Sequence, residues 1–288
     1  MMDANEARTN DFGYKNDLRS MYIIMKYQVK FYLKTRRFIA MLIIVLLITA
    51  LTVGIDLYEG VARSTAGSPN SAAFISAGLS ETLVLSIGVV AAFFGGDATS
   101  IETGTNSGYF IMTQPVRKVS ILIGRYLASV LLAFALILIE YAGVAGLSQD
   151  FYGNITPNIL LSIVEALLLI GAFMALAFFF SSIFKNPLIG ILFSVIVFVI
   201  VFSMITGILE ITSIEPWFVL TYGGEVVTEI LNPSLIQHST TLRHLPGHLT
   251  ITTYSPYIWE GNVIMGAYLV ISLVLSYLIF RFKEVKPQ

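Results

Sequence analysis

The sequence predicts an all-α integral membrane protein with six transmembrane helices, and two features of its composition support that prediction. Of the 288 residues, 56% are hydrophobic and only 12% are charged, and the mean hydropathy is +0.80. A soluble globular chain carries about 25% charged residues. The charged residues are also separated by long uncharged runs, so the chain has too little polar surface to cover a compact body in water.

The uncharged runs locate the membrane spans. A bilayer core about 30 Å thick is crossed by about 20 mostly apolar residues. Runs of this length predict six spans at about residues 38–55, 74–96, 119–146, 158–183, 188–210 and 262–281. They divide the chain into a leader (residues 1–37), a six-helix transmembrane domain (residues 38–283) and a short tail (residues 284–288). The longest connection, residues 211–260, lies between spans five and six.

The basic residues predict the orientation of these spans. Fifteen of the 17 Lys and Arg residues fall in the leader, around the connections after spans two and four, or after span six. Only Arg63 and Arg243 fall in the alternate loops. Because cytoplasmic loops carry an excess of Lys and Arg, both termini are predicted to be cytoplasmic, in a multi-pass protein of the plasma membrane. The connection between spans five and six is then a long external loop.

The leader is predicted to contain an amphipathic helix that lies along the inner membrane surface. On a helical wheel its cations share one sector: Arg19, Lys26, Lys30, Lys34 and Arg37. Apolar side chains share another sector: Leu18, Tyr22, Met25, Val29 and Tyr32. Such a helix buries its apolar face at the boundary between headgroups and acyl chains. A plain cationic anchor for span one is the alternative interpretation. Residues 1–16 have few apolar side chains, and we expect them to be disordered.

Three carboxylates fall inside the predicted spans. Glu81, Glu140 and Glu165 each lie six or seven residues from the predicted outer end of a span. Ionisable groups are costly in a membrane and usually face the interior of a helix bundle or water. The three side chains are therefore candidates for a translocation path, as the lining of an outward-facing vestibule or as a site for a proton or cation. Alternatively, each hydrogen-bonds separately to Ser, Thr or Tyr on a neighbouring helix.

The sequence contains no recognisable catalytic, cofactor or metal motif. It has no cysteine, no G-x-x-x-x-G-K-S/T phosphate-binding loop and no H-E-x-x-H pattern. Its net charge of −1 gives no indication of nucleic-acid binding. His238, His244 and His248 lie in the last external loop with Glu225 and Glu229 nearby, but a Pro-Gly pair between His244 and His248 prevents helical metal-ligand spacing. We therefore predict no metal site.

Residues 94–105, 111–117 and 121–125 carry a family resemblance. They contain an acidic residue and an E-T-G-T segment after span two, a P-V-R turn, and an I-L-I-G-R start to span three. This arrangement resembles the hallmark of the type-2 ATP-binding-cassette exporter permeases, in which the corresponding segments are E-x-G-T-like, P-V-x-R-like and I-L-x-G-K-like. Arg125 stands at the usual Lys position, and the Arg117-Lys118 pair is offset by one place from the common Ser-Arg.

The resemblance implies a permease subunit that is not itself an enzyme. It implies a second permease subunit, identical or different, and two cytoplasmic P-loop ATPase subunits that hold ATP and Mg²⁺. The implied ATPase-coupling segment contains Asp97, Glu102, Gly104, Tyr109, Phe110, Met112, Pro115 and Arg117. Its aromatic residues and Met112 would fill a groove on the ATPase, and Glu102 and Arg117 would fix the register. The alternatives are a proton-coupled secondary transporter that uses the three carboxylates, and a non-transporting membrane assembly protein.

Overall fold

The computed structural model describes residues 4–59, 70–100, 118–231, 240–244 and 250–282. These residues form long helices, a short π-helical segment and one β-hairpin. The helices are α1 (Ala4–Lys34), α2 (Arg36–Glu59), α3 (Ser71–Gly95), α4 (Lys118–Tyr152), α5 (Ile159–Ile183), α6 (Pro187–Val195), the π-helical segment (Ile196–Val201), α7 (Phe202–Ile211), α8 (Leu220–Gly224), α9 (Val226–Glu229) and α10 (Ile258–Phe282). The strands are β1 (Thr240–His244) and β2 (Thr250–Tyr254).

The helices confirm a multi-pass, helical membrane architecture. Five helical stretches in the described residues are long and apolar enough to cross a membrane: Arg36–Tyr58, Lys118–Tyr152, Ile159–Ile183, Pro187–Ile211 and Ile258–Phe282. The helix α3 gives a sixth span if its two halves, which meet at a 42° bend between Ser80 and Thr82, cross as one unit. The long apolar runs of the sequence therefore become the membrane-crossing elements.

The third span is longer than its predicted bounds of 119–146. The helix α4 has 35 residues, which corresponds to about 52 Å at 1.5 Å per residue and exceeds a bilayer core of about 30 Å. Gly153 ends it with a φ of 69°, a left-handed conformation that glycine adopts without steric cost. The Gly153 N–H donates to the Gln149 carbonyl at 2.9 Å and closes the last turn. The helix therefore ends at a glycine cap rather than where the apolar run weakens.

The leader helix α1 packs against the bundle. The Met21 carbonyl and the Ile24 side chain lie against Gly124 of α4, and Tyr32 is only 1% exposed. Other residues of the predicted apolar sector do not contact the bundle as closely, since Leu18 and Tyr22 are 48% and 60% exposed. Contact with α4 selects which apolar residues are buried, and the remaining ones stay on the surface. The exposed face of α1 is therefore partly aromatic and partly basic.

The helix α1 begins earlier than the sequence indicated. Its basic sector is also smaller than predicted. The helix begins at Ala4, so residues 4–16 are helical where disorder was expected. Extending an existing helix adds a hydrogen bond per residue without a new nucleation cost. Thr35 separates α1 from α2, and Arg37 consequently lies on α2 rather than in the α1 sector. The cations Arg19, Lys26 and Lys30 remain exposed on α1.

The fifth span contains one feature that the sequence predicted and one that it did not. Asn186 caps α6 by accepting the Leu188 N–H at 3.0 Å, and Pro187 occupies the first turn, which confirms the predicted turn between spans four and five. The π-helical segment then interrupts the α-helical repeat in the middle of this span. An uninterrupted apolar run gave no sign of this change.

The bundle has two ends, and we name them by their contents. The leader end contains the end of α1, the start of α2 and the end of α3. The far end contains α8, α9 and the β-hairpin. In this hairpin Thr240 pairs with Tyr254 and His244 pairs with Thr250, an addition to the all-α prediction that fits the β-branched composition of both strands. The short helices α8 and α9 lie within the predicted loop of residues 211–260.

Candidate functional site

The most extensively bonded backbone segment of the leader end is the elbow, which we define as residues 94–100. It includes the last turn of α3 and the turn that follows it. The elbow joins the second span to the predicted coupling segment and contains its first member, Asp97. Its described residues show how that segment is attached to the helix bundle.

Glycines bring the elbow into backbone contact with α5 and α6. A Cβ atom on Gly95 would lie 2.6 Å from the Ala177 Cβ, and one on Gly190 would lie 2.2 Å from the Gly96 carbonyl oxygen. Real Cβ atoms do not approach other heavy atoms so closely, so neither position accepts a side chain without movement. The absence of side chains at Gly95 and Gly190 allows the end of α3 to lie directly against the α5–α6 hairpin.

Side chains from α1 and α4 bind the carbonyl groups of the elbow. The Phe94 carbonyl accepts from the Tyr32 hydroxyl at 3.2 Å and from the Ser129 hydroxyl at 3.3 Å. Arg125 donates to the Ala98 carbonyl at 2.8 Å. The carbonyls at a helix end have no partner within the helix, and these donors satisfy them. Three side chains on two helices therefore fix the direction in which α3 ends.

Ser181 of α5 binds the other side of the elbow. Its hydroxyl oxygen accepts the backbone N–H of Thr99 at 3.0 Å and that of Ser100 at 3.1 Å. Ser181 is fully buried, so water does not replace these bonds. Because a buried N–H group without an acceptor costs about 1–3 kcal/mol, this hydroxyl is a strong local constraint.

An ion pair completes the elbow. The Asp97 carboxylate is fully buried and pairs with the guanidinium of Arg37, which is 39% exposed. Arg37 lies at the start of α2, so the pair joins the first and second spans. A buried carboxylate without a counter-ion is strongly destabilising, and Arg37 supplies the charge that makes this burial possible.

The structure thus positions one member of the predicted coupling segment. Asp97 lies in the elbow, whereas the other members lie outside the described residues: Glu102, Gly104, Tyr109, Phe110, Met112, Pro115 and Arg117. Sequence reasoning missed the partners that the elbow finds on other helices, Tyr32, Arg37, Ser181 and Gly190. The only sign of these contacts in the sequence was Arg37, a basic residue at the start of the first span, and its charge was interpreted as a signal for membrane orientation.

The intramembrane carboxylates have different neighbours. Glu140 of α4 is 1% exposed and faces the hydroxyls of Thr82 and Ser86 on α3. Among the described residues, neither of its oxygens nor the Ser86 hydroxyl completes a hydrogen bond. Glu165 of α5 accepts the Asn262 amide of α10 at 3.2 Å. Glu81 lies on α3, and its side chain is outside the described part. A shared vestibule for the three carboxylates stays a prediction.

Comparison with known proteins adds no identification, since neither a protein-family model nor a curated protein matches the chain. Within the residues described by the structure, no group of three or more His, Asp or Glu side chains is placed to hold a metal ion. His238 and His248 lie outside those residues, as does the side chain of His244. The elbow is therefore the candidate site that the geometry defines best.

Proposed function

We propose that this chain is the permease subunit of an ATP-binding-cassette exporter, with an ATPase-coupling segment that begins at Asp97 in the elbow and extends to Arg117. The observation that supports this most directly is the attachment of the elbow to five other helices. Tyr32, Arg37, Arg125, Ser181 and Gly190 belong to α1, α2, α4, α5 and α6, respectively. A force applied to the coupling segment would be transmitted to these five helices through contacts that leave little room for movement.

The proposal includes partners and an orientation. Two cytoplasmic P-loop ATPase subunits supply ATP hydrolysis with their bound Mg²⁺, and a second permease subunit, identical or different, forms the substrate path. The leader end faces the cytoplasm, and the chain resides in the plasma membrane. The exposed aromatic and basic faces of α1 support this orientation, because such a helix favours the inner headgroup region.

Replacement of Tyr109 and Phe110 by Asp tests the coupling segment. The tagged chain is purified from its own membranes, and an azido-ATP photolabel together with vanadate-sensitive ATP hydrolysis reports the ATPase subunit. We expect both signals to be lost in the double variant, because two charges replace the proposed apolar contact. Tyr58→Asp is the matched control, since Tyr58 is 90% exposed at the far end of α2. Unchanged co-purification in the double variant contradicts the proposal.

The orientation has a separate test, which the absence of cysteine makes simple. Lys34→Cys places one thiol at the leader end, and Tyr58→Cys places one at the far end. A membrane-impermeant maleimide should label Tyr58→Cys in intact cells and Lys34→Cys only after permeabilisation. Labelling of Lys34→Cys in intact cells would reverse the orientation and exclude a cytoplasmic ATPase at the elbow.

Glu140 supports a second candidate function, a proton-coupled transporter. Its complete burial without a hydrogen-bond partner among the described residues resembles the situation of intramembrane carboxylates that exchange protons. This alternative predicts transport in vesicles that contain the chain alone, driven by a pH gradient and abolished by Glu140→Gln. The ATP-driven proposal predicts no transport without nucleotide.

A further inference from the structure

A cavity of 350 Å³ lies outside the elbow, between three parts of the chain. One wall is α3, the second comprises the π-helical segment with α7, and the third comprises α8 with the residue that follows it. Ligand pockets begin at about 300 Å³, so this volume suits a small organic molecule. The cavity lies toward the far end, where α7 ends and α8 begins.

Both acidic and apolar side chains line the cavity. Glu210 and Glu225 contribute two carboxylates, while Val84 and Phe198 contribute apolar surface. Phe198 is 4% exposed and rests edge-on against Phe173 with a centroid distance of 5.0 Å, so its ring is held in place. A site with both characters suits a ligand that has an apolar body and a charged group.

Local backbone structure holds the two carboxylates near each other. Glu210 lies in the last turn of α7, and Glu225 directly follows α8. The Thr206 and Thr221 hydroxyls hydrogen-bond at 3.3 Å and connect these two helices beside the cavity. The π-helical segment begins at Ile196 and sets the register of the wall that carries Phe198. Such segments occur frequently at functional sites.

The charges in the cavity are unbalanced. No Lys, Arg or His is among its described lining residues. Burial raises the pKa of Glu225 well above the ordinary carboxyl range, and the neighbouring carboxylates Glu229 and Glu210 raise it further. A buried carboxyl group with other carboxyl groups beside it favours the entry of a positive charge. A cation would restore the ionised form of Glu225 and pair with it.

We propose that this cavity binds a small organic cation with an apolar body, such as an arylalkylammonium, whose charged nitrogen lies between Glu210 and Glu225. Its apolar part packs against Val84 and Phe198. A metal ion fits less well, because Mg²⁺ and Ca²⁺ require about six or more oxygen ligands. In the described residues no set of three or more acidic or His groups is present to supply them.

The proposal goes beyond the exporter function, since binding requires neither nucleotide nor an ATPase subunit. The test uses the full chain in lipid nanodiscs, with radiolabelled benzyltrimethylammonium as the probe. Empty nanodiscs measure uptake by the lipid. Neopentylbenzene has nearly the same shape with carbon in place of the charged nitrogen, so it competes for apolar space but not for the carboxylates.

We expect saturable binding that unlabelled benzyltrimethylammonium displaces and neopentylbenzene does not. Glu210→Gln and Glu225→Gln should each weaken binding at least about tenfold, because each removes one partner of a partly desolvated charge pair. Asp150→Asn is the control, as it removes an exposed carboxylate from the end of α4. Val84→Trp fills the cavity without changing its charge, and it should also abolish binding.

The size-exclusion profile and thermal unfolding of each variant establish that it is folded. Undiminished binding by folded Glu225→Gln, or by folded Val84→Trp, overturns the proposal. Equal displacement by the neutral compound overturns it as well, and so does uptake no greater than that of empty nanodiscs. None of these outcomes bears on ATPase binding at the coupling segment, which the Tyr109 and Phe110 variant tests separately.

Discussion

Removal of Arg37 should destabilise the protein more than removal of its partner Asp97. The physical reason is what each substitution leaves behind. Arg37→Gln leaves the Asp97 carboxylate, which is fully buried, without a counter-ion. Asp97→Asn leaves a guanidinium that is 39% exposed and can extend its charge toward water or headgroups. One ion pair thus gives two different costs.

The expected loss of stability in each variant follows from how exposed the remaining charge is. Breaking a buried pair so that a charge remains buried costs about 3–5 kcal/mol, and we expect this loss for Arg37→Gln. Asp97→Asn should cost about 1–2 kcal/mol, because the charge that remains on Arg37 is partly solvated and a neutral amide costs less to bury than a carboxylate. The double variant should resemble Asp97→Asn, since it leaves no buried charge. The two single effects are therefore strongly non-additive.

Reversible unfolding in detergent micelles measures these differences. Tryptophan fluorescence follows the transition of the wild type, both single variants and the double variant under identical conditions. Equal losses for the two single variants would show that the exposure of Arg37 does not determine the cost. Additive losses in the double variant would show that the two side chains do not interact, and either result refutes the argument.

Three further predictions concern stability. Gly190→Ala should cost about 1–3 kcal/mol in thermal unfolding because its methyl group meets the Gly96 carbonyl, whereas the matched Gly207→Ala, with no atom within 4 Å, should be neutral or stabilising. Glu140→Leu should leave the unfolding temperature unchanged or raise it, because burial of the carboxylate costs more than the facing Thr82 and Ser86 hydroxyls compensate, and a clear loss would show that these hydroxyls stabilise it. Since the pKa of Glu225 is raised on folding, its contribution to stability should be complete in acid and decline as the pH rises above the ordinary carboxyl range. A comparison of unfolding temperature against pH should show a flatter profile for Glu225→Gln, and parallel profiles would contradict the assignment.

Sequence reasoning located the helices well because the membrane imposes a strong, local condition. Every residue within hydrocarbon must be apolar or internally paired, so each span leaves a long uncharged run. The turn at Asn186 and Pro187 was equally readable, because a cap and a proline act within a few residues. The C-terminal end of α4 was harder to predict, because the helix ends where Gly153 adopts a left-handed backbone conformation.

The site was less readable, because its contacts join residues that are distant in the sequence. Asp97 was selected by family resemblance, but its partner Arg37 looked like one of many orientation charges. The close approach of Gly96 and Gly190 depends on how two hairpins pack, which no local pattern records. The cavity depends on a π-helical segment hidden in a continuous apolar run. Local sequence patterns therefore predict the helices and turns, whereas tertiary packing determines which helix surfaces are in contact.

The attachments on both sides of the proposed coupling segment determine where a force on it would go. On one side Ser100 is bound to Ser181 of α5, and on the other the Lys118 amino group donates to the Arg281 carbonyl of α10 at 3.3 Å. The helices α5 and α10 also bond to each other, through the Ser276 hydroxyl and the Phe178 carbonyl at 3.2 Å. A displacement of residues 101–117 would therefore act on α5 and α10 together, because each is bonded to one flank of the segment. If the segment receives work from an ATPase, the first internal movement should be a joint displacement of α5 and α10, and a cross-link between α5 and α4, which pack against each other, should block transport while leaving ATPase binding intact.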